Sequence, residues 1–352
     1  MTTDRIKTQG YAGFDAATPL REYEFSRRGV GDSDVLIEIK YCGVCHSDIH
    51  SVRSEWGAAH YPLVPGHEIV GTIKQIGSNV TKFKVGDSVG VGCMVNSCGE
   101  CESCHHHLEQ FCFKGCTFTY NSVDADGSTT QGGYSDQIVV REKFVLKLPS
   151  NLKMEEAAPL LCAGITTYSP LRHWKIGKNH KVGIIGLGGL GHMAVKFARS
   201  LGAHTVVFTT SLSKKDDALK MGAHEVVYSK NPDEFKSHIN SFDFILDTVS
   251  APHNLADYMQ QLKVDGTLCM LGVSPAPHQL PSGAVIFGRK SLSGSLIGGV
   301  AETQEMLDFC GKHDITCDVE IIPIQKINEA YERVLSSDVK YRFVIDMKSL
   351  RG

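Results

Sequence analysis

The stretch Val182-Gly-Ile-Ile185, followed by Gly186-Leu-Gly-Gly-Leu-Gly191, gives the clearest indication of a fold in this chain. A short apolar strand that runs into a GxGxxG turn and then into a helix is typical of a dinucleotide-binding βαβ unit. The glycines permit a tight turn, a close approach of backbone to a pyrophosphate and close packing of helix on strand. A glycine-rich turn without a ligand is the alternative interpretation.

Further apolar strands and helices alternate on the C-terminal side of this unit. Strands are predicted at 205–208, 242–246 and 267–271, and helices at 191–200, at 214–221 behind Ser213 as N-cap, and at 254–262. Strands that are apolar on both faces and alternate with helices predict a parallel sheet covered on both sides.

The rest of the chain has a different pattern of apolar and turn-forming residues. Residues 1–150 alternate short apolar runs, such as 35–39, 69–73 and 85–91, with Gly, Pro, Asn and Asp, which predicts a strand-rich, barrel-like domain. From about residue 291 helices are predicted at 302–312 and 327–335, and a strand at 343–346. Periodicity alone leaves open whether this tail is a third domain or returns to the first, but 352 residues favour more than one domain.

Composition narrows the class of protein. Hydrophobic residues make up 42%, charged residues 21%, and the net charge is −3, so neither nucleic acid nor an anionic membrane is an expected partner. With no secretory signal and no bilayer-spanning run, a cytoplasmic location is expected. Twelve cysteines in a reducing compartment indicate metal binding or catalysis, and a secreted disulfide framework is the alternative.

The strongest single signal is a cluster of cysteines with the spacing Cys98-x2-Cys101-x2-Cys104-x7-Cys112. Four thiolates suit a closed, tetrahedral structural zinc site, and Gly99 eases the turn between the first two. An iron–sulfur cluster is the second candidate. A nucleic-acid zinc finger would require a basic face that the chain lacks. The run 105–107, three histidines, is interpreted as a solvated polar turn.

A second set of candidate metal ligands is dispersed along the chain. Cys45 lies early, His67 and Glu68 follow in Pro65-Gly-His-Glu68, and Cys162 lies far downstream. Two cysteines and one histidine from separate loops match an open catalytic zinc site. Singly, each of these residues is more often packed in a core, and spacing alone does not pair Cys162 with Cys45.

The end of the second strand of the βαβ region bears on the choice of cofactor. NAD sites place Asp or Glu there for the ribose hydroxyls, whereas this chain has Thr210 and Ser211, with Lys214 and Lys215 following. Hydroxyls and ammonium groups suit a 2′-phosphate, so NADP(H) is predicted. An ordinary helix N-terminus with solvated lysines is the alternative.

Together these motifs resemble the zinc-dependent medium-chain dehydrogenase/reductase superfamily. Within it, the chain is similar to the cinnamyl alcohol dehydrogenase group, including its bacterial aldehyde reductases. Four segments carry this closer resemblance: Tyr61-Pro-Leu-Val-Pro-Gly-His-Glu68, Gln131-Gly-Gly-Tyr134, Leu161-Cys-Ala-Gly-Ile-Thr-Thr-Tyr168 and Gly294-Ser-Leu-Ile-Gly298. The resemblance covers essentially the whole chain.

The resemblance implies an α/β protein with a GroES-like, β-rich catalytic domain at 1–153 that resumes at 293–352. A Rossmann domain with a doubly wound parallel sheet would occupy 154–292 and bind NADP(H), with the active site in the interdomain cleft. It also implies a homodimer and two zinc ions per chain, the structural ion being held by the four clustered cysteines.

The resemblance also assigns roles to residues. Cys45, His67 and Cys162 would bind the catalytic zinc, with Glu68 beside it and able to replace the bound water. Asp48 would hydrogen-bond His67, Ser47 would touch the substrate oxygen, and His50 would relay protons. The substrate pocket would be lined by Trp56, Cys93, Phe118 and Leu296. The cofactor would contact His46, Thr166, Gly186, Gly188, Gly189, Leu190, Gly191, Thr210, Ser211, Lys215, Thr248, Val273, Ser295 and Arg342.

The implied function is reduction of aldehydes and oxidation of primary alcohols with NADP(H). Phe118 and Leu296 differ from the larger residues of some plant members, so the substrate stays open between aromatic and medium aliphatic compounds. An NAD-linked polyol or secondary-alcohol dehydrogenase is the rival among enzymes. A zinc protein on the same fold without enzymatic activity is the rival outside them.

Overall fold

The computed structural model describes residues 5–351. The chain divides into two compact units, one comprising Met1–Ile165 with Gly298–Gly352 and the other comprising Thr166–Ile297. From Gly298 onwards the tail therefore belongs to the first unit and is not a third domain, whereas residues 291–297 belong to the second unit. The boundaries at 153 and 293 stay predictions, and Cys162 lies in the first unit.

Strands occur along the whole described chain, whereas the longer helices begin only after residue 160. The strands are β1 Ile6–Ala12, β2 Arg21–Arg27, β3 Asp34–Gly43, β4 Ile69–Ile76, β5 Ser88–Val91, β6 Met94–Asn96, β7 Thr117–Phe118, β8 Gln137–Arg141, β9 Leu146–Lys147, β10 Lys181–Ile185, β11 His204–Thr209, β12 Glu225–Tyr228, β13 Phe242–Asp247, β14 Leu262–Met270, β15 Ser291–Gly294, β16 Val319–Pro323 and β17 Arg342–Asp346. The α-helices are α1 His46–Val52, α2 Glu102–His105, α3 Met154–Ala157, α4 Ala163–His173, α5 Gly191–Ser200, α6 Lys215–Lys220, α7 Pro232–Lys236, α8 Leu255–Gln261, α9 Gly283–Ile286, α10 Val300–His313 and α11 Ile327–Leu335.

The first unit is built on a seven-stranded sheet with the order β16-β17-β3-β4-β5-β9, and β8 also pairs with β3. Alternate residues of β3, namely Val35, Ile37 and Ile39, are at most 3% exposed, as expected for the core-facing side of a strand. The tail joins this sheet because β17 pairs antiparallel with β3, with Val344 opposite Gly43.

The pairing of β3 with β4 fixes where two distant motifs meet. The two strands are antiparallel, and Cys42 lies opposite Ile69. The residues just after β3 therefore lie beside the residues just before β4. These are Cys45 on one side and His67 and Glu68 on the other.

The second unit is a six-stranded sheet with the order β12-β11-β10-β13-β14-β15, and all of its strand pairs are parallel. The strand order reverses between β10 and β13. In doubly wound sheets, ligands bind outside the carboxyl ends of the strands at such a reversal. The predicted fold class, a β-rich unit and a doubly wound parallel-sheet unit, is confirmed.

Two local predictions need correction. Ser213 does not cap a helix, because Leu212–Lys214 form a 3-10 turn before α6 and the Ser213 hydroxyl bonds to that of Ser211 at 2.8 Å. The run 85–91 becomes a strand only from Ser88. A turn precedes it in which Gly86 has a φ of +93°, a conformation that glycine adopts without strain.

Within residues 5–351, no helix combines the length and the apolar character that a crossing of the bilayer would need.

Candidate metal centres and active site

Four buried residues of the first unit form the central cluster: Cys45, His67, Glu68 and Cys162. One potential ligand atom from each lies within 4.8 Å of those of the other three. Cys45 precedes α1, His67 and Glu68 precede β4, and Cys162 lies between a 3-10 turn and α4. The sulfurs of Cys45 and Cys162 are 3.9 Å apart. The fold therefore makes the pairing that spacing along the chain could not.

The chemistry of this cluster fits a zinc ion. Two thiols and an imidazole are zinc ligands, and a three-ligand site leaves a position for water or substrate. His67 Nε2 and Glu68 Oε2 are buried and have no hydrogen-bond partner among the described residues. A hydrogen bond from the Cys162 thiol lowers the pKa of Cys45 well below its ordinary value, although burial opposes this. That shift favours the thiolate, the form that binds metals.

Asp48 holds several parts of the cluster in place through hydrogen bonds. Its buried carboxylate accepts hydrogen bonds from the backbone N–H of Cys45 at 2.9 Å, from that of Gly66 at 3.1 Å and from the Tyr134 hydroxyl at 3.1 Å. It also lies 3.1 Å from His67 Nδ1. Asp48 thus fixes the imidazole with Nε2 facing the other ligand atoms, as carboxylates do for metal-bound histidines.

Glu68 has a partner that sequence reasoning missed. Arg342 of β17 is buried and forms an ion pair with one carboxylate oxygen of Glu68. A side chain at Gly43 would collide with this carboxylate, so glycine is required there. Burial raises the pKa of Glu68 to about 7, although Arg342 opposes the shift. The predicted phosphate contact of Arg342 stays a prediction, since the structure shows its guanidinium engaged with Glu68.

A stack of aromatic rings surrounds His50. The His50 ring lies between His46, at a centroid distance of 4.8 Å, and Trp56, at 4.7 Å. His50 Nδ1 bonds to the carboxylate of Glu55, a residue that sequence reasoning did not select. Ser47, on the same helix as His50, has its hydroxyl 2.9 Å from the sulfur of Cys45. The Ser47 hydroxyl lies at the cluster, and the oriented imidazole of His50 follows one helical turn later. Together these two groups could form a path for a proton.

The predicted pocket residues lie in both units. Cys93 lies next to the cluster, and a hydrogen bond with Cys162 lowers its pKa. Trp56 is 51% exposed and Phe118 is 42% exposed, so both present apolar surface that a substrate could cover. Leu296, 45% exposed, belongs to the second unit. Their contacts with a substrate stay predictions.

The clustered cysteines converge as a second group, with one sulfur from each of Cys98, Cys101, Cys104 and Cys112 within 4.8 Å of the others. The sulfurs of Cys98 and Cys104 are 3.8 Å apart. Zn–S bonds of about 2.3 Å in a tetrahedron separate sulfurs by about 3.8 Å, so a single ion fits this group. The backbone N–H of Phe113 lowers the pKa of Cys101 to about 6, which also favours the thiolate. The histidines at 105–107 are exposed.

The glycine-rich turn of the second unit has the shape of a dinucleotide cradle. Gly186 has a φ of +88°, and a Cβ there would lie 2.9 Å from Val249 Cγ2. A Cβ on Gly191 would collide with the Gly186 carbonyl, which keeps α5 close to β10. A Cβ on Gly188 would meet nothing within 4 Å. The space before Gly188, at the start of α5, suits a pyrophosphate.

Thr210, Ser211 and Lys215 follow β11 at the same edge of this sheet, and Thr210 and Lys215 are exposed. Lys214 instead donates from Nζ to the Leu187 carbonyl of the glycine-rich turn at 3.0 Å. Of the other predicted cofactor contacts, Thr248, Val273 and Ser295 follow the carboxyl ends of β13, β14 and β15, at the same edge of the sheet as the glycine-rich turn, whereas Thr166 lies in α4. The Thr248 hydroxyl donates to Ile185 O, Val273 is exposed, the Ser295 N–H bonds to Met270 O, and Thr166 Oγ1 is buried.

Comparisons with known proteins agree with this architecture. The family model described as Alcohol dehydrogenase GroES-like domain matches residues 31–150, and the one described as Zinc-binding dehydrogenase matches residues 189–312. The chain is 54% identical to NADP-dependent alcohol dehydrogenase C 1 of Mycolicibacterium smegmatis, over 97% of this chain and 98% of the relative. It is 53% identical to aldehyde reductase YahK of Escherichia coli, over 98% and 99%.

Solved structures give the same result. A cinnamyl alcohol dehydrogenase from Sorghum bicolor superposes with a TM-score of 0.95 at 44% identity, covering 97% of this chain and 98% of the other. CAD from Helicobacter pylori complexed with NADP(H) superposes with a TM-score of 0.93 at 45% identity, covering 98% and 99%. With two clusters of metal ligands and a dinucleotide cradle, this chain belongs to the zinc-dependent medium-chain dehydrogenase/reductase superfamily, in its cinnamyl alcohol dehydrogenase group.

Proposed function

We propose that this chain interconverts aldehydes and primary alcohols of aromatic or medium aliphatic type, with NADP(H) and two zinc ions per chain. The buried cluster of Cys45, His67 and Cys162 carries the proposal, because the unpartnered His67 Nε2 lies among thiol ligands while Asp48 holds its other nitrogen. The relatives named as alcohol dehydrogenases and aldehyde reductases support the reaction class.

Cys45, His67 and Cys162 would hold the catalytic zinc, and the four clustered cysteines would hold the structural one. When bound, the catalytic ion acts as a Lewis acid on the substrate oxygen, and NADPH supplies the hydride. The chain's own contribution begins with Asp48, which orients His67 from a buried position. Arg342 pairs with Glu68 and thereby holds this carboxylate beside the three ligands.

Ser47, His50 and Glu55 would move the proton. The Ser47 hydroxyl, next to Cys45 Sγ, is placed to hydrogen-bond a substrate oxygen at the cluster. His50 lies one turn further along α1, and Glu55 fixes its ring through Nδ1, which leaves Nε2 to exchange a proton. The stacked rings of His46 and Trp56 restrict the tilt of the imidazole.

His50→Gln is expected to lower kcat by about 100-fold or less, since general acid–base groups contribute about 100- to 10,000-fold and an exposed relay has substitutes in water and buffer. Both zinc ions should remain, and added imidazole should restore part of the rate. Glu55→Gln should act in the same direction with a smaller effect. His60→Gln, a change to an exposed histidine beyond α1, is the control. Loss of a zinc ion from His50→Gln would show that His50 is a ligand.

A second prediction concerns the cofactor. Thr210→Asp is expected to lower kcat/KM for NADPH by about ten- to a hundredfold and to leave NADH unharmed, because a carboxylate repels the 2′-phosphate. Lys215→Ala should lower kcat/KM for NADPH and leave that for NADH unchanged. Lys220→Ala, at the other end of α6, should change kcat/KM for neither cofactor. Equal or better kcat/KM of the unaltered protein with NADH would overturn the proposed preference.

An aldehyde and alcohol panel with both cofactors tests the reaction itself. We expect NADPH consumption with cinnamaldehyde or benzaldehyde, lost on treatment with a chelator and restored by zinc. Faster NAD-linked oxidation of polyols or secondary alcohols would favour the rival enzyme. No turnover with any substrate, at two zinc ions per chain, would favour the non-enzymatic interpretation.

The proposal includes a homodimer in the cytoplasm. Strand β15 is an edge of its sheet. Leu292 within β15 is 38% exposed, and Ile286 and Phe287 shortly before it are 67% and 81% exposed, which supports pairing with a second copy. The mass in solution tests the dimer. The six cysteines of the two metal clusters would have to stay reduced to bind zinc, which supports a reducing compartment.

A further inference from the structure

A buried ion pair lies at the carboxyl end of β13, in the second unit. Asp247, the last residue of β13, is 1% exposed. Its Oδ2 lies 3.0 Å from Nε2 of His253, and its Oδ1 accepts a hydrogen bond from the Val249 N–H at 3.1 Å. The contact with His253 is a charge pairing whose N–H direction departs from a linear hydrogen bond. The Asp247–His253 pair therefore connects the end of the loop 248–253 to the end of β13, where the loop begins.

The surroundings of His253 favour the imidazolium. Its Nδ1 lies 2.8 Å from the Ala251 carbonyl and its Nε2 faces the Asp247 carboxylate, so both nitrogens face acceptors. A neutral imidazole has only one N–H, whereas the imidazolium has two. Asp247 accordingly raises the pKa of His253, although burial opposes this.

The loop closed by this pair supports the glycine-rich turn. The Thr248 hydroxyl donates to Ile185 O, the residue before the turn, at 2.7 Å. Val249 packs so closely on Gly186 that a Cβ there would lie 2.9 Å from Val249 Cγ2. On its other side the loop backbone lies against Gly272, where a Cβ would collide with the Val249 carbonyl. A shift of the loop would therefore displace Gly186.

We propose that His253 is a positioning residue for the dinucleotide, which acts by pairing with Asp247 and holding the loop 248–253 against the Gly186 turn. This inference rests on the proposed cofactor role of that turn. His253 would not touch the cofactor, and its influence would pass through Thr248 and Val249.

The pH dependence follows from the groups that face His253. Asp247 comes from β13, Tyr258 from α8 at a ring distance of 5.8 Å, and His278 from the segment after β14 at 5.1 Å. The pKa of Tyr258 is raised by burial, so it stays neutral through the range in question. Since the folded-state pKa of His253 is raised, the pairing is fully present below about pH 6.5 and is lost as the pH rises through the raised value.

The test is a fluorescence titration of NADPH onto the full-length, zinc-loaded protein without aldehyde, from pH 6 to pH 9. His253→Gln keeps a hydrogen-bonding side chain and removes the charge. We expect its Kd for NADPH to be about tenfold higher than that of the unaltered protein at pH 6, because removing one partner of a buried ion pair leaves the other charge uncompensated. The difference should narrow towards pH 9. In turnover, KM for NADPH should rise while kcat stays nearly constant.

His238→Gln is the matched control. It removes a half-buried histidine that faces Glu225 at 3.7 Å, and Glu225 begins β12 at the opposite edge of the same sheet. His238→Gln should leave Kd unchanged. Equal Kd values for His253→Gln and the unaltered protein, or equal weakening by both variants, would overturn the proposal.

Val249→Ala provides a second test if His253→Gln does not fold. It removes part of the side chain that contacts Gly186, so the Kd for NADPH should rise several-fold. The pH dependence of this Kd should match that of the unaltered protein. An unchanged Kd would contradict the inference. An unaltered protein that binds neither NADPH nor NADH would instead refute the proposed cofactor role, and this inference with it.

Discussion

Cys162→Ser is expected to lower kcat/KM for aldehyde reduction by about 1,000-fold or more and to leave one zinc ion per chain. Lewis-acid stabilisation by a catalytic metal contributes several kcal/mol, and each 1.36 kcal/mol is about tenfold in rate. Cys162 supplies one of the two thiols of the cluster, 3.9 Å from Cys45. Serine at this buried position is a poor zinc ligand, so the ion and its chemistry should be lost together.

The measurement pairs metal analysis with steady-state kinetics. Cys42→Ser is the control, because Cys42 is a fully buried thiol three residues from Cys45 that is not among the cluster's ligand atoms. Burial raises its pKa well above the ordinary value, which keeps it a neutral thiol. Cys42→Ser should retain both ions and most of the activity. Full turnover by Cys162→Ser would remove Cys162 from the ligand set.

Helix α5 shows what the sequence predicts well. The position of the segment 191–200 after a strand and a glycine-rich turn predicts a helix there, and α5 is Gly191–Ser200. The helix predicted at 327–335 is likewise found as α11, Ile327–Leu335. Both predictions rest on local signals, namely apolar periodicity and the residues that start or end a helix. Ser213 is the counter-example, since the chain forms a 3-10 turn around it first.

The candidate catalytic cluster lies beyond such local signals. Cys45 and Cys162 are 117 positions apart, and their contact depends on the register of β3 against β4 and on the path of the chain before α4. The residues alone suggest the ligand types, and the family resemblance supplies the pairing. The tail is equally undetermined by local signals, because only the pairing of β17 with β3 brings Arg342 to Glu68.

Glu55 and Arg342 illustrate a further limit. A glutamate in a turn and an arginine in a strand do not by themselves indicate that they orient His50 and Glu68. Their roles arise from the stacking of Trp56 on His50 and from the burial of β17, both of which are tertiary contacts. Arg342 stands directly before the apolar run Phe343-Val-Ile345, and this was the available hint, because a charge that is buried together with such a run requires a partner.

Cys101→Ser should lower the zinc content from two ions to one and lower the melting temperature by about 10 °C. Structural zinc contributes directly to folding, and a closed four-ligand site loses most of its affinity with one thiolate. Each kcal/mol lost shifts the melting temperature of a unit of roughly 200 residues by about 2–4 °C. Thermal unfolding and metal analysis measure both effects.

The loss of stability in Cys101→Ser should extend beyond the lobe, residues 98–112, because this lobe also contacts the start of α10. Glu109, within the lobe, is 1% exposed and accepts a hydrogen bond from the Val300 N–H at 3.2 Å. When the lobe loses its ion, Glu109 can leave this position and free the first turn of α10. Cys116→Ser is the control, since Cys116 flanks the lobe but is not among its four ligand sulfurs. Two ions retained by Cys101→Ser, or the same loss of stability in Cys116→Ser, would contradict the assignment of the lobe as a structural zinc site.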